Sequence, residues 1–399
     1  MSVAPGRRMT GDSDAARSEA TPLDNTRPDV GPAEATARHK FDERPFIAIW
    51  EMTQACDLAC KHCRASARPG RDTQELSTFE GKQLLSRLAE MRVPFVVLTG
   101  GDPAKRPDLL ELVQHGVEAG LHLGLTPSAT PLVTDPLIRE LAGRKLSRLA
   151  VSIDGPDAVV HDTFRGVLGS FDEALRILNT ARNSGITTQV NTTVHAGNID
   201  QLARTADLVQ GLGATLWSVF FVVPTGRAEA KMLPDPEHVE RILTELAELA
   251  ETRSFALKTT AAPHYRRVLV QRRKRLGSAP EHGVLGQRAM RINEGRGFVF
   301  ISHRGQIFPS GFLPIECGNV RTRDLLDVYC NHPIFQSLRD TNALHGKCGA
   351  CDYRNICGGS RARSYALTGD YLESDVLCSY IPAGYEGPRP RIHLDVLEG

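Results

Sequence analysis

The feature that most restricts this chain is a repeated alternation of short apolar runs with longer segments of helical period. The runs are Phe46–Trp50, Phe95–Leu98, Leu121–Leu125, Leu149–Ile153, Thr188–Val194 and Leu216–Val223. Each is too short for a core helix, and each is apolar enough to be a strand covered on both faces. Between them, Phe79–Met91, Asp108–Ala119, Ser170–Ser184 and Ile199–Leu212 carry apolar residues three and four apart, the stripe of a helix lying on a sheet. Repeats of this kind build parallel sheets through crossover helices, so an α/β fold is expected, an open or partly closed barrel of six β/α units. In such folds the chemistry gathers beyond the carboxyl ends of the strands.

The alternation does not cover the whole chain. Residues 1–42 are rich in Ala, Pro, Asp, Thr and Arg without apolar periodicity, as in a disordered leader. The barrel is expected over 43–265, closing with a helix at Pro236–Thr252 and the stretch Phe255–Pro263. A basic, Gly-containing linker or crossover follows over 266–296. Phe298–Ser302 and Gln306–Phe308 then flank His303-Arg304-Gly305 like a β-hairpin opening a smaller domain, 297–382, before a Pro-rich tail, 383–399. With 48 basic against 47 acidic residues there is no electrostatic case for nucleic acid or an acidic membrane surface as partner. No run of about 18 apolar residues occurs and the N-terminus lacks the apolar core of a secretion signal, so a cytoplasmic protein is expected. Closely spaced cysteines in a chain of this length point to metal sites in a reducing compartment rather than to disulfides.

Cys56, Cys60 and Cys63 lie just past the first expected strand, with three and two residues between them. Three thiolates leave one iron of a four-iron cube without a protein ligand, open to a chelating cofactor, whereas a fourth would close it for electron transfer only. A structural zinc, with His62 or a remote cysteine as fourth ligand, is the competing reading.

The spacing C-x-x-x-C-x-x-C after a first strand resembles the signature of the radical S-adenosylmethionine (SAM) superfamily, and the elements around it resemble that family in the same order. The resemblance implies a partial (β/α)6, TIM-like barrel with a 4Fe-4S cluster on Cys56, Cys60 and Cys63, which cleaves SAM to a 5′-deoxyadenosyl radical. Gly100-Gly101-Asp102-Pro103 is similar to the family's G-G-E-P turn, whose backbone takes the SAM amino group, with Asp in place of Glu. Ser152-Ile153-Asp154-Gly155 and His161-Asp162-Thr163-Phe164-Arg165-Gly166 match its S-x-D-G and H-D-x-x-R-G segments. They imply Ser152 at the ribose and Arg165, a planar two-donor fork, at the SAM carboxylate. Ser128 and Asn191 are placed near the ribose hydroxyls and Thr225, in Val223–Arg227, near the adenine.

Cys348, Cys351, Cys357 and Cys378 offer four thiols for one completed site, a spacing that suits zinc or a second cluster equally. The stretch resembles the C-terminal SPASM or twitch extension of radical SAM enzymes, which implies an auxiliary 4Fe-4S cluster. Ser310 and Ser360 stand where relatives with more cysteines have Cys, so one auxiliary cluster is expected. Cys317 remains an alternative ligand, and Cys330 reads as a small apolar residue in a helix.

Segments 259–265, 297–303 and 359–363 look most like the alternative haem synthase branch, which oxidatively decarboxylates or removes propionates of an iron porphyrin. His264, Tyr265, Arg266, His303, Arg361 and Arg363 are the residues this reading would set against the carboxylates. Maturation of a ribosomally made peptide is the second reading, and a non-catalytic iron-sulfur or zinc scaffold the third. A reductant such as flavodoxin or ferredoxin is implied for either enzyme.

Overall fold

The computed structural model describes Met1, residues 40–277 and 292–388, and Pro390. Its strands are β1 (Ile47–Glu51), β2 (Phe95–Thr99), β3 (Leu123–Leu125), β4 (Arg148–Ser152), β5 (Thr187–Val194), β6 (Leu216–Phe221), β7 (Ala256–Thr260), β8 (Phe298–Ile301), β9 (Gln306–Phe308) and β10 (Gly318–Asn319). They form one sheet in the order β10-β9-β8-β1-β2-β3-β4-β5-β6-β7. From β1 to β7 neighbours are parallel and in chain order, as a series of β/α crossovers requires.

The crossovers are α1 (Thr78–Glu90), α2 (Leu109–Glu118), α3 (Asp135–Gly143), α4 (Ala158–Arg165), α5 (Ser170–Asn183), α6 (Leu202–Gly211) and α7 (Pro236–Thr252). Their starts are written locally. Ser77 accepts from the Glu80 amide and the Glu80 carboxylate accepts from the Ser77 amide, a capping box on α1 worth about 1 kcal/mol. Leu84, Leu85 and Leu88 of α1 then pack with Trp50, Val96 and Leu98 in the main core.

Strand alternation sorts the rest. Leu149 and Val151 of β4, Val190 and Val194 of β5, Trp217, Val219 and Phe221 of β6, and Leu257 of β7 belong to that core, under the helices. The residues between them, among them Ser152, Gln189, Asn191, Ser218 and Lys258, therefore face the other side of the sheet, the barrel lumen.

Three features depart from the sequence reading. The polar strand β7 extends the six expected strands, because an edge beside β6 supplies the hydrogen bonds that its composition does not advertise. The hairpin of β8 and β9 does not stand apart: β8 pairs in parallel with β1, so the C-terminal segment continues the barrel's own sheet. Within the stretch read as a linker lies α8 (Tyr265–Leu276), whose basic run hides its apolar period; residues 278–291 of that stretch are outside the described residues. Buried Arg267 of α8 pairs with Glu240 at 2.5 Å, and Arg272 reaches Glu248 and Glu251.

The C-terminal segment adds α9 (Leu325–Asn331), α10 (Pro333–Arg339), α11 (Gly346–Gly349) and α12 (Arg361–Thr368). Cys330 lies in α9, partly buried, its thiol donating to the Glu43 carbonyl at 3.2 Å. Among the described residues no helix is long and apolar enough to cross a membrane.

Candidate active site

The first cysteine loop leaves β1 at its carboxyl end and is clamped from β2. The Gly101 amide donates to the Thr53 carbonyl at 2.7 Å and the Asp102 amide to that of Ala55 at 2.6 Å. The approach is so close that a Cβ on Gly101 would stand 2.5 Å from the Ala55 oxygen and 2.6 Å from that of Gln54. From the far side of the barrel the turn after β6 presses on the same loop. Arg227 donates its amide to the Cys63 carbonyl at 3.0 Å, and a Cβ on Gly226, whose φ is +65°, would lie 2.3 Å from the Arg64 oxygen. Thr225 sits in this turn, beside Cys63 in space although 162 residues away in sequence.

Each sulfur of the trio meets a donor. The Leu58 amide points at Cys56 Sγ (3.4 Å), the Ala67 amide at Cys63 Sγ (3.4 Å) and Arg165 Nη1 at Cys60 Sγ (3.7 Å). Donors directed at sulfur favour thiolate and tune a bound cluster. Burial pushes the Cys56 thiol up, against the Ser128 and Leu58 donors that favour its thiolate. Ser128, expected at the ribose, stands next to this thiol: its hydroxyl is 3.2 Å from Cys56 Sγ and donates to the Gly101 carbonyl at 2.6 Å.

Asp154, at the end of β4, receives Arg165 Nε at 2.6 Å and the Thr193 amide at 2.7 Å. Burial works against its charge, but Arg165 and the nearby histidines outweigh it and bring the carboxyl down to about 2. Arg165 thus stands charged at the end of α4, one side on Asp154 and another on Cys60. The remaining members of its motif build the scaffold. His161 Nδ1 accepts from the Asp154 amide, and Asp162 accepts from the Gly169 and Phe171 amides and from Ser170, fixing the start of α5.

His62 stacks on Phe164 at 4.1 Å and Phe164 on His195 at 3.8 Å. Burial, then the charge of Arg165, pushes His62 down to about 3, so it is neutral. Among the described residues no three His, Cys, Asp or Glu side chains converge on a single-ion site. Several buried polar atoms around the loop have no partner among the described residues: His62 Nδ1, and Arg227 Nε and Nη2. A polar, partly anionic ligand such as SAM would answer them, so the residues present fit it. Arg227 and Ser218 escaped the sequence reading as individual ligands: Ser218 lies inside the sixth apolar run and Arg227 just beyond it, with no local pattern to single out either.

The proposed SAM residues are not all equivalent. Gly100, Gly101 and Pro103 shape the turn, but the Asp102 carboxylate is consumed within it, fully buried between Thr130 Oγ1 (2.6 Å) and the Ala104 amide (3.1 Å). Burial raises its pKa. Ser152 and Asn191 face the lumen side by side, paired in register, and Asn191 Oδ1 accepts from Gln189 Nε2 at 2.7 Å.

In the C-terminal segment Cys348, Cys351, Cys357 and Cys378 line one pocket together with Arg267, Lys347, Arg354 and Tyr380. Donors again face sulfur: the Tyr353 amide at Cys351, the Gly359 amide at Cys357 and Arg361 Nη2 at Cys348. Burial pushes the Cys378 thiol up to about 11. Cys317 is elsewhere, in the main core, its Sγ 3.5 Å from the Ile315 carbonyl that accepts from it and its pKa pushed up to about 12 by burial.

Most side chains expected at the carboxylates are engaged by the framework, while His264 Nδ1 and Nε2 and Arg363 Nη1 have no hydrogen-bond partner among the described residues. Arg363 is fully buried in a two-bond pair with Asp375 (2.9 and 2.7 Å), and Arg361 donates to the Tyr371 and Glu373 carbonyls. Arg266 donates to the Ile292 and Ile356 carbonyls, Tyr265 to that of Leu246, and His303 pairs with Glu51 at 3.0 Å. His264 is fully buried, 4.0 Å from Asp375. The family resemblance of three separate segments singled these residues out, but sequence cannot say which donors the fold itself uses.

Comparison with known proteins gives a consistent result. A family model described as the radical SAM superfamily matches residues 50–209. The chain is 39% identical over 340 residues to an AdoMet-dependent heme synthase of Methanosarcina barkeri (strain Fusaro / DSM 804), covering 85% of this chain and 97% of that one. It is 28% identical over 347 residues to a PqqA peptide cyclase of Bradyrhizobium diazoefficiens, covering 85% of this chain and 87% of that one. Among solved structures it is similar to Streptococcus suis SuiB bound to S-adenosylmethionine, with a TM-score of 0.67 at 18% identity over 85% of this chain and 78% of that one.

Proposed function

Because this chain belongs to the radical SAM superfamily, on its haem synthase branch, we propose that its substrate is an iron porphyrin from whose propionates it oxidatively removes carboxyl groups. The observation that carries the chemistry is the loop of Cys56, Cys60 and Cys63, whose three sulfurs each face a donor while unpartnered polar atoms surround them. The substrate is carried by the 39% identity across nearly the whole length of a haem synthase; the peptide reading has the weaker 28% likeness.

Cys56, Cys60 and Cys63 would hold a 4Fe-4S cluster with one open iron. Together with SAM it supplies a hydrogen-abstracting 5′-deoxyadenosyl radical. The work of the chain is to place and shield the reactants. Arg165, kept charged by Asp154, presents its guanidinium to the SAM carboxylate. Ser152 and Asn191 offer lumen hydrogen bonds to the ribose, Gly100 to Pro103 offer backbone to the amino group, and Thr225 closes the adenine side. The His62, Phe164 and His195 stack walls the site against water.

In this proposal Cys348, Cys351, Cys357 and Cys378 would hold the auxiliary 4Fe-4S cluster, which would supply an acceptor for the electron that oxidative decarboxylation leaves over. A cytoplasmic setting with flavodoxin or ferredoxin as reductant completes it. Anaerobic incubation with SAM, a reductant and iron coproporphyrin should give products lighter by whole carboxyl groups, and Cys60→Ala should abolish both these and 5′-deoxyadenosine. SAM cleavage by the wild type with an unchanged porphyrin would sink the substrate assignment; 5′-deoxyadenosine from the variant would sink the site.

A further inference from the structure

Two lumen cations have no carboxylate acting on them among the described residues. Leu149 and Leu257 lie in the core beneath the helices, which turns Arg148 on β4 and Lys258 on β7 to the inner face. The register aligns Ser152, Asn191, Ser218 and Lys258 in one row across β4, β5, β6 and β7. Arg148 reaches towards that row and is linked to it through Gln189: its Nη1 is 3.5 Å from Gln189 Oε1, and Gln189 in turn donates to Asn191. Among the described residues the charge acting on Lys258 is that of Arg148, a like charge, and no carboxylate acts on either. Burial and Arg148 push the Lys258 amine down to about 8. Beside Lys258 in register, Ser218 is fully buried with its Oγ unpartnered.

Two like charges facing the same partly buried lumen repel each other until negative charge arrives. We propose that Lys258 and Arg148, with the Ser218 hydroxyl, form a lumen subsite that takes one carboxylate of the substrate. As to the identity of that substrate, the inference rests on the porphyrin reading above. SAM also has a carboxylate, but Arg165 already stands for it at Cys60, and Lys258 lies three strands away from β4, whose end carries Asp154. A substrate carboxylate anchored in the row that also contains Ser152 and Asn191 would set the rest of the molecule beside SAM.

The test is anaerobic titration of the cluster-loaded protein with iron coproporphyrin III and with its tetramethyl ester, followed in the porphyrin absorption band, for wild type, Lys258→Met and Lys258→Arg. SAM affinity is measured in parallel by equilibrium dialysis. The expected result for Lys258→Met is about tenfold weaker binding of the tetracarboxylate, the size of one lost charged hydrogen bond. Ester and SAM affinity should be unchanged, and Lys258→Arg should restore most of the loss. Equal weakening for both porphyrins, no weakening, or a parallel fall in SAM affinity would overturn the subsite. Failure of the porphyrin reading shows separately, as a wild type that binds neither porphyrin. Succinate then decides the subsite: a rise in Tm of the wild type that disappears in Lys258→Met supports it, and equal responses or none overturn it.

Discussion

The Cβ that Gly101 lacks would stand 2.5 Å from the Ala55 carbonyl, so Gly101→Ala must push the cysteine loop away from β2. Iron and sulfide content should fall from about eight to about four per chain, the second pocket keeping its share, and 5′-deoxyadenosine formation should drop with it. A full complement of iron would show that the loop tolerates the shift. At Lys258 the sign of the pH dependence is fixed by burial and Arg148, which lower the amine to about 8. Above that pH the amine is neutral before ligand arrives, so affinity for the tetracarboxylate porphyrin should weaken as pH rises from 7 to 9. In Lys258→Met it should be flat. The cysteine trio was legible in the sequence because its members share one loop. Lys258, Arg148 and Ser218 were not, since they stand on three different strands and nothing local marks them as neighbours.

At the scale of elements, α12 is held by a pair rather than by an apolar stripe. Arg363 and Asp375 are both fully buried and bonded twice. Asp375→Asn removes the countercharge and leaves a guanidinium in a dry site, a loss of about 3–5 kcal/mol. Thermal unfolding should register it as a Tm several degrees lower, whereas a shift within error would mean that water reaches Arg363. Six strands and five crossover helices were visible beforehand because buried parallel strands and helices lying on them carry strong periods. Helix α8 was hidden by basic residues whose charges Glu240, Glu248 and Glu251 neutralise from α7, and β7 by a polar inner face that only a lumen explains.

Over the whole molecule, buried neutral histidines set the acid limit. His161 and His264 are each pushed by burial from 6.5 to about 4. Between those values the unfolded chain binds more protons than the folded one, so stability falls as pH drops from about 6.5 towards about 4. Urea unfolding should give a smaller free energy at pH 5 than at pH 7, with uptake of about two protons from this pair. Replacing His264 by Phe should flatten the dependence, and an unchanged slope would remove it as a cause. The sequence by itself determined the repeating β/α order, the two cysteine groups and the motif spacings, because each depends on residues close along the chain. Tertiary structure decided which polar groups the fold consumes and which it leaves for a ligand. Asp102, Arg361 and Arg363 are spent inside the protein, while Arg227, Ser218 and Lys258 are left facing the site. That division depends on strand register and on burial, which bring together residues from β4 to β7 that no local pattern relates.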